Sequence, residues 1–294
     1  MSHFVLDEIH SQPEVWARAA AMGAVATDLP AHGERVAVIG CGTSWFMAMC
    51  YAVLRETAGM GWTDAFTATE LPPDRAYDRV VAITRSGTTT EVLDALGMLR
   101  GRVPTVAITG DPATPVTEAA DAVVALDFAD ERSVVQTRFA TTVLALLRAS
   151  LGEDLAPVVE DAREALDRPV EGYLAATQVS FLGNGWTVGL AHEAALKLRE
   201  AAQAWTESYP AVEYRHGPVS VAEPGRLTWL LGDAPEGLEH EIAATGATFV
   251  HHADLDPMAA LVVAQRTAVA LALRRGLDPD QPRNLTRSVI LASR

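Results

Sequence analysis

Apolar residues along the chain follow two rhythms. Short continuous runs occur at Arg35-Val-Ala-Val-Ile-Gly40, Arg79-Val-Val-Ala-Ile-Thr84, Thr105-Val-Ala-Ile-Thr-Gly110 and Ala122-Val-Val-Ala-Leu126. Runs of this kind predict strands buried on both faces. Between them, about Trp45 to Glu56, Thr90 to Leu99, Pro115 to Ala120 and Thr137 to Leu151, the spacing is helical. Strands alternating with helices predict a parallel sheet covered on both sides. Residues 1–28 read as helical through Phe4, Val5, Ile9, Trp16 and Ala20, with a break or a new start at Pro13. From Gly152 to about Glu171 the chain is charged and helix-compatible, as a connector would be. The rhythm then restarts at Gln178-Val-Ser-Phe-Leu-Gly183, Thr228-Trp-Leu-Leu-Gly232 and Ala247-Thr-Phe-Val-His251, before a long helix from about Pro257 to Arg275 and a turn-rich tail. The expected organisation is an N-terminal helical segment (1–28), a first α/β unit (29–151), a connector helix (152–172) and a second α/β unit with the tail (173–294). The one repeat visible between the halves is strand-Gly-x-Gly, at Ile39-Gly-Cys-Gly42 and Leu182-Gly-Asn-Gly185.

Composition narrows the function. The 294 residues carry a formal charge of −15. Such a field repels nucleic acid and anionic membranes, so an anionic ligand must be held by local donors. Two cysteines, Cys41 and Cys50, suit neither a disulfide scaffold nor a metal pattern. Asp7 and Glu8 stand where a signal peptide would need positive charge, and the apolar stretch Met258 to Leu273 is too short to span a bilayer. The expectation is a cytoplasmic protein.

Two strand-end loops carry the candidate ligand chemistry. Gly40-Cys41-Gly42-Thr43-Ser44 opens a helix, and its glycines, free amides and hydroxyls suit an anion. The same residues would also serve as a tight turn with a hydroxyl cap. The second loop, Thr84-Arg85-Ser86-Gly87-Thr88-Thr89-Thr90-Glu91, holds more side-chain donors than a cap requires, and hydroxyls beside a guanidinium suit a phosphate. In open α/β sheets such loops converge on one crevice. Two further stretches are polar without a decisive pattern: Glu131 to Thr142, and the tail from Asp280 to Val289, whose Arg283 and Arg287 could also reach an anionic ligand or substrate. His251, His252 and Asp254 read as an exposed turn, and no metal site is expected. Cys41 reads as a packing residue although a helix N-terminus can lower a thiol pKa.

The densest chemistry follows Phe181-Leu-Gly-Asn-Gly185. On the helix Ala191 to Glu200, the residues Glu193, Lys197 and Glu200 fall within roughly 60° of one another around the axis. Glu213-Tyr-Arg-His-Gly217 follows closely. Two carboxylates and an ammonium on one stripe, with His216 behind, can move protons. An ordinary solvated Glu-Lys pair is the plainer alternative.

In these residues the chain resembles the sugar isomerase (SIS) family, and most closely the isomerase half of glucosamine-6-phosphate synthase. The matching motifs run along nearly the whole chain: Glu8-Ile-His-Ser-Gln-Pro13, Cys41-Gly-Thr-Ser44, Ser86-Gly-Thr-Thr89, Phe181-Leu-Gly-x-Gly185, Glu193 to Glu200, His216-Gly-Pro218 and Asp280-Gln-Pro-Arg-Asn-Leu285. The resemblance implies two tandem flavodoxin-like αβα sandwiches with parallel sheets, assembled as a homodimer. It implies that Thr43, Ser44, Thr84, Ser86 and Thr89, with Arg85 in the same loop, hold a sugar phosphate. Glu200 would carry a proton between C1 and C2, and His216 would open the ring, oriented by Glu193 and supplied by the neighbouring subunit. Lys197 would sit near the reacting hydroxyls, and no cofactor is implied.

Departures from the synthase pattern bear on the reaction. The glutamine-hydrolysing domain and its cysteine nucleophile are expected to be absent, since the chain starts Met1-Ser2. Arg287 stands where the synthase has an imine-forming lysine, and Arg85 replaces a glutamine. Arginine cannot form an imine at neutral pH. The expected activity is isomerisation and deamination of a hexosamine 6-phosphate. Dehydration of N-acetylglucosamine 6-phosphate and non-catalytic sensing of a sugar phosphate are the alternatives.

Overall fold

The computed structural model describes residues 3–291; Met1, Ser2 and residues 292–294 lie outside the described residues. Two helices open the chain, α1 (Phe4–His10) and α2 (Gln12–Gly23), with Pro13 in the first turn of α2, where a missing N–H costs nothing. The first sheet contains β1 (Val36–Gly40), β2 (Thr63–Thr67), β3 (Arg79–Thr84), β4 (Thr105–Thr109) and β5 (Ala122–Ala125). They are wholly parallel in the order β2-β1-β3-β4-β5. Its helices are α3 (Thr43–Thr57), α4 (Thr90–Leu99), the short α5 (Val116–Ala119) and α6 (Arg138–Ser150). The connector is α7 (Ala156–Asp167). The second sheet contains β6 (Gln178–Gly183), β7 (Thr206–Pro210), β8 (Arg226–Leu231) and β9 (Thr248–His251), parallel in the order β7-β6-β8-β9. With it come α8 (Thr187–Ala202), α9 (Leu238–Ala244) and α10 (Pro257–Arg274).

Helices between the sheets form the main core. Residues of α2, α3, α6, α8 and α10 bury one continuous apolar cluster together with the inner faces of both sheets. Smaller clusters cover the outer faces, under α4 and α5 on one side and under α9 on the other. Two glycines permit close helix crossings. A Cβ on Gly23 would fall 2.2 Å from the Leu146 carbonyl oxygen, where α2 meets α6. A Cβ on Gly189 would fall 2.5 Å from the Phe46 oxygen and 2.6 Å from Cys50 Sγ, where α3 meets α8. The second crossing sets the site, because it brings the first turn of α3 beside the last turns of α8. Buried Arg148 on α6 joins the halves through a bidentate pair with Asp256 at 2.8 and 2.7 Å, and Asp256 also caps α10 through the Met258 N–H.

Two strands and one helix escape the hydrophobic pattern: β2, β7 and α9. The two strands are sheet edges with mostly half-buried side chains, so their sequences lack a continuous apolar run. They also expose a repeat that the apolar pattern hid. Trp62-Thr-Asp-Ala-Phe-Thr-Ala-Thr-Glu70 matches Trp205-Thr-Glu-Ser-Tyr-Pro-Ala-Val-Glu213 at the same offset that relates Gly40 to Gly183. At equivalent positions Glu56 on α3 accepts from the Thr63 N–H at 2.8 Å and Arg199 on α8 donates to the Thr206 carbonyl at 3.2 Å, so each helix holds its edge strand at the same place. The two halves thus share side chains as well as architecture.

Candidate active site

Strand order in the first sheet reverses between β1 and β3, and their carboxyl ends carry the two hydroxyl-rich loops. A crevice at such a reversal is where open α/β sheets receive ligands. Gly40 is required there, since a Cβ would lie 2.7 Å from Ser44 Cβ. Gly42 takes φ +55° and is the N-cap of α3, and no side chain caps that helix. Thr89 precedes α4 and likewise makes no capping bond. The loop hydroxyls are therefore not used as caps. Thr84 Oγ1 is buried without a partner. Ser86 Oγ accepts from the Thr88 N–H at 3.2 Å and lies 3.5 Å from Thr89 Oγ1.

Against these loops α8 places the acid-base stripe. Lys197 Nζ donates to Thr43 Oγ1 at 3.1 Å and to Glu200 Oε2 at 2.6 Å, and it lies 3.4 Å from Glu193 Oε1. The plain solvated-pair reading fails because Glu193 and Lys197 are buried, at 0% and 1% exposure. Burial pushes the Glu193 carboxyl up to about 7, against the pull of the Lys197 charge, with Glu200 adding to the rise. Burial also works against the Lys197 charge, but the two carboxylates outweigh it and hold the ammonium above its ordinary pKa. Lys197 is the chain's only lysine, against 22 arginines.

Thr43, Arg85, Thr89, Glu200 and Arg287 line one cavity of about 180 Å³. Ser44, Thr84 and Ser86 are buried in the same two loops. The cavity's other walls are Cys41, Gly42, Val134, Gln136 and the tail residues Leu285, Thr286, Ser288 and Val289. The 131–142 stretch and the tail, which carry no decisive pattern in the sequence, thus supply cavity wall. Glu8, in the N-terminal motif, supports the first of these walls by accepting from the Arg132 N–H at 2.6 Å and from Ser133. Glu131 is buried and caps α6 through the Thr137 and Arg138 N–H groups at 2.6 and 2.9 Å. No local spacing signals these contacts, because each partner is positioned by the fold.

The two expected arginine contacts are spent within the protein. Arg85 was expected to grip phosphate, but its guanidinium is buried and donates to the carbonyls of Ser133, Val134 and Arg287 at 3.0, 3.2 and 2.9 Å. The Arg287 guanidinium, expected to reach the substrate, is bound to the Asp130 carboxylate at 2.5 Å and to the Glu131 carbonyl. His216, expected at the site of a neighbouring subunit, is exposed in a 3-10 turn, Glu213–His216, beyond the carboxyl end of β7. Helix α8 starts at the carboxyl end of β6 and runs back about 20 Å before it reaches Glu200. His216 and Glu200 of one chain thus lie at opposite ends of the second sheet.

Other candidate groups resolve simply. The Cys41 thiol is pushed up by burial rather than lowered. His251 and His252 are half-buried, not an exposed turn: His251 Nε2 lies 2.8 Å from the Gly232 carbonyl oxygen, and His252 packs on Trp229. Among the described residues His3, Asp278 and Asp280 bring ligand-capable atoms within 4.8 Å, but both Asp280 oxygens already accept from the Phe4 and Val5 N–H groups. α10 has the length and hydropathy of a membrane span, and 72% of it is buried in the protein.

These features define a class: an α/β protein with two parallel sheets and one strand-end site completed by a helix of the other sheet. No family model matches the chain. A curated relative, the glutamine–fructose-6-phosphate aminotransferase (isomerizing) of Gloeobacter violaceus, is 30% identical over 98% of this chain and 58% of its own length. The chain thus spans somewhat over half the length of the curated relatives it matches. Among solved structures, glucosamine-6-phosphate deaminase from Thermotoga maritima superposes with a TM-score of 0.82 at 25% identity, covering 98% of this chain and 99% of that one. The C-terminal domain of glucosamine-fructose-6-phosphate aminotransferase from Francisella tularensis gives 0.80 at 21% identity, with 96% and 99% covered. The likeness to the sugar isomerase (SIS) family, on the side of the isomerase half of the synthases, holds over the whole chain.

Proposed function

We propose that the protein is a sugar-phosphate isomerase/deaminase acting on a hexosamine 6-phosphate, organised as two tandem SIS units within the boundaries given above. The observation that carries this reading is the Thr43–Lys197–Glu200 chain of hydrogen bonds, which joins the anion-type loop of the first sheet to a carboxylate of the second in one cavity. The full-length likeness to a glucosamine-6-phosphate deaminase supports deamination over the other outcomes.

In this mechanism the free loop hydroxyls and the amides at the starts of α3 and α4 hold the phosphate without a dedicated cation. The C2 proton of the open-chain sugar is acidic because it adjoins the C1 carbonyl. Glu200 takes it, and the electron pair moves through C1–C2 onto the carbonyl oxygen, which Lys197 stabilises with its charge. The amine lone pair at C2 then pushes toward C1, which takes the proton back from Glu200, and the resulting iminium passes one N–H proton to the C1 oxygen, leaving a neutral imine at C2 and a hydroxyl at C1. Addition of water and loss of ammonia then give the ketose phosphate. Buried Glu193 positions Lys197 from the opposite side. His216 opens the ring of a sugar bound to a second copy, because it cannot reach the cavity of its own chain. The active assembly is therefore a homodimer.

Incubation with glucosamine 6-phosphate, fructose 6-phosphate and N-acetylglucosamine 6-phosphate tests the reading. Ammonia release with ketose formation is expected from the first. An ultraviolet-absorbing product from the third alone would replace it with dehydration. Phosphosugar binding with no turnover of any of them would make the protein a sensor. Glu200→Gln should retain phosphosugar binding and lose about a thousandfold in kcat.

A further inference from the structure

We propose that Arg85 is a positioning residue that clamps the C-terminal segment 285–289 in place as a wall of the cavity. Arg85 lies in the loop after β3, which forms one wall. Its Nη1 donates to the Ser133 and Val134 carbonyls in the second wall, and its Nη2 to the Arg287 carbonyl in the third. One side chain thus joins three segments that are remote in sequence. A planar guanidinium spreads its donors over separate nitrogens that face different walls, whereas an ammonium offers its three donors from a single atom and reaches less far across. The site is built for the charge: Arg85 is 2% exposed, and Glu131 Oε2, otherwise without a partner, lies 3.8 Å from Nη1. The outer tail extends the same attachment. The Thr90 N–H donates to the Val289 carbonyl at 3.2 Å, Thr88 Oγ1 meets Ser288 Oγ at 3.0 Å, and the Leu291 N–H donates to Thr90 Oγ1 at 3.0 Å. Arg85 therefore acts on substrate through the tail and not by touching phosphate.

Trypsin provides the test, because Arg287–Ser288 is itself a cleavage site and exposed Arg283 in the same tail is an internal control. Arg85→Gln alone would leave Glu131 buried and uncompensated, so the Arg85→Gln/Glu131→Gln pair is the principal variant. The ratio of cleavage after Arg287 to cleavage after Arg283, followed by intact mass, should rise about tenfold or more in the pair, because the local opening energy falls. Arg85→Lys should behave in the same way; if lysine restores the wild-type ratio, Arg85 supplies only charge and the clamp is wrong. The kinetic arm rests on the proposed function. KM for glucosamine 6-phosphate should rise about tenfold while kcat falls less than about threefold, since a lost wall weakens binding more than chemistry. An unchanged cleavage ratio overturns the clamp whatever the kinetics. A raised ratio in a protein that turns over no sugar phosphate upholds the clamp and rejects only the enzymatic reading.

Discussion

Glu193→Gln should make the protein more stable at pH 8 than the unaltered chain, and about equally stable at pH 5. The carboxyl sits at 0% exposure, and neither of its oxygens has a well-formed hydrogen bond. Burial, opposed by Lys197, carries its pKa from 4.5 to about 7. The folded state then holds a proton that the unfolded chain releases, so the contribution is fully present below about 4.5 and is lost as pH rises through about 7. At 1.36 kcal/mol per unit, the shift corresponds to about 3 kcal/mol between pH 5 and pH 8. Glutamine has the shape of the protonated acid and cannot ionise, so it should escape the loss. Urea unfolding at half-unit steps gives the difference between the two proteins, in which the background from the −15 charge largely cancels. The single lysine adds a direct readout. Selective ¹³C-lysine labelling gives one side-chain resonance, from Lys197, whose shift should titrate near pH 7 beside Glu193 and lose that inflection in the variant. A stability difference that stays flat from pH 5 to pH 8 would refute the reasoning, because it would mean that the buried carboxylate keeps its charge throughout.

Other perturbations test the frame around the site. Gly189→Ala should cost about 2 kcal/mol in denaturant melts and depress kcat/KM, because its Cβ would push α8 away from Phe46 and Cys50 and stretch the Thr43–Lys197 contact. Asp256→Ala should cost about 3 kcal/mol, seen as a fall of several degrees in Tm, because it uncaps α10 and leaves Arg148 with Glu153 as its remaining carboxylate. Glu200→Gln and His216→Ala chains, each nearly inactive alone, should regain activity when unfolded together and refolded, because a mixed dimer contains one site with both native residues. No recovery would return His216 to its own chain or remove it from the reaction.

Much of the fold was legible because buried parallel strands need continuous apolar runs, and β1, β3, β4, β6 and β8 have them. Edge strands β2 and β7 face solvent on one side, and their mixed sequences read as loop until the Trp-Thr repeat is noticed. The stripe on α8 was legible for a similar reason, since helical spacing alone puts Glu193, Lys197 and Glu200 on one face. What spacing could not give was depth. A surface ion pair and a buried proton-transfer group share one sequence pattern, and only the α3–α8 crossing separates them. The arginines were misread for the complementary reason. A guanidinium in a phosphate-type loop suggests an anion, but Arg85 meets three carbonyls supplied from two distant segments.

The duplication explains why the chain has one such site rather than two. Ser44 and Thr187 occupy equivalent positions, each behind a glycine that a Cβ would drive into it. At the first position the hydroxyl of Ser44 makes no hydrogen bond among the described residues. At the second, Thr187 Oγ1 accepts from the Asn184 N–H at 2.8 Å and donates to the Leu231 carbonyl at 2.7 Å, so its hydroxyl is spent on its own turn. The stripe differs in the same direction. Residues of α3 equivalent to Glu193 and Lys197 are Cys50 and Leu54, which cannot exchange protons at neutral pH, and burial holds the Cys50 thiol neutral. The first half carries the unspent hydroxyl and the second half the carboxylate-ammonium stripe. Because α3 and α8 cross with opposite directions, these two sets of side chains meet at the carboxyl end of the first sheet.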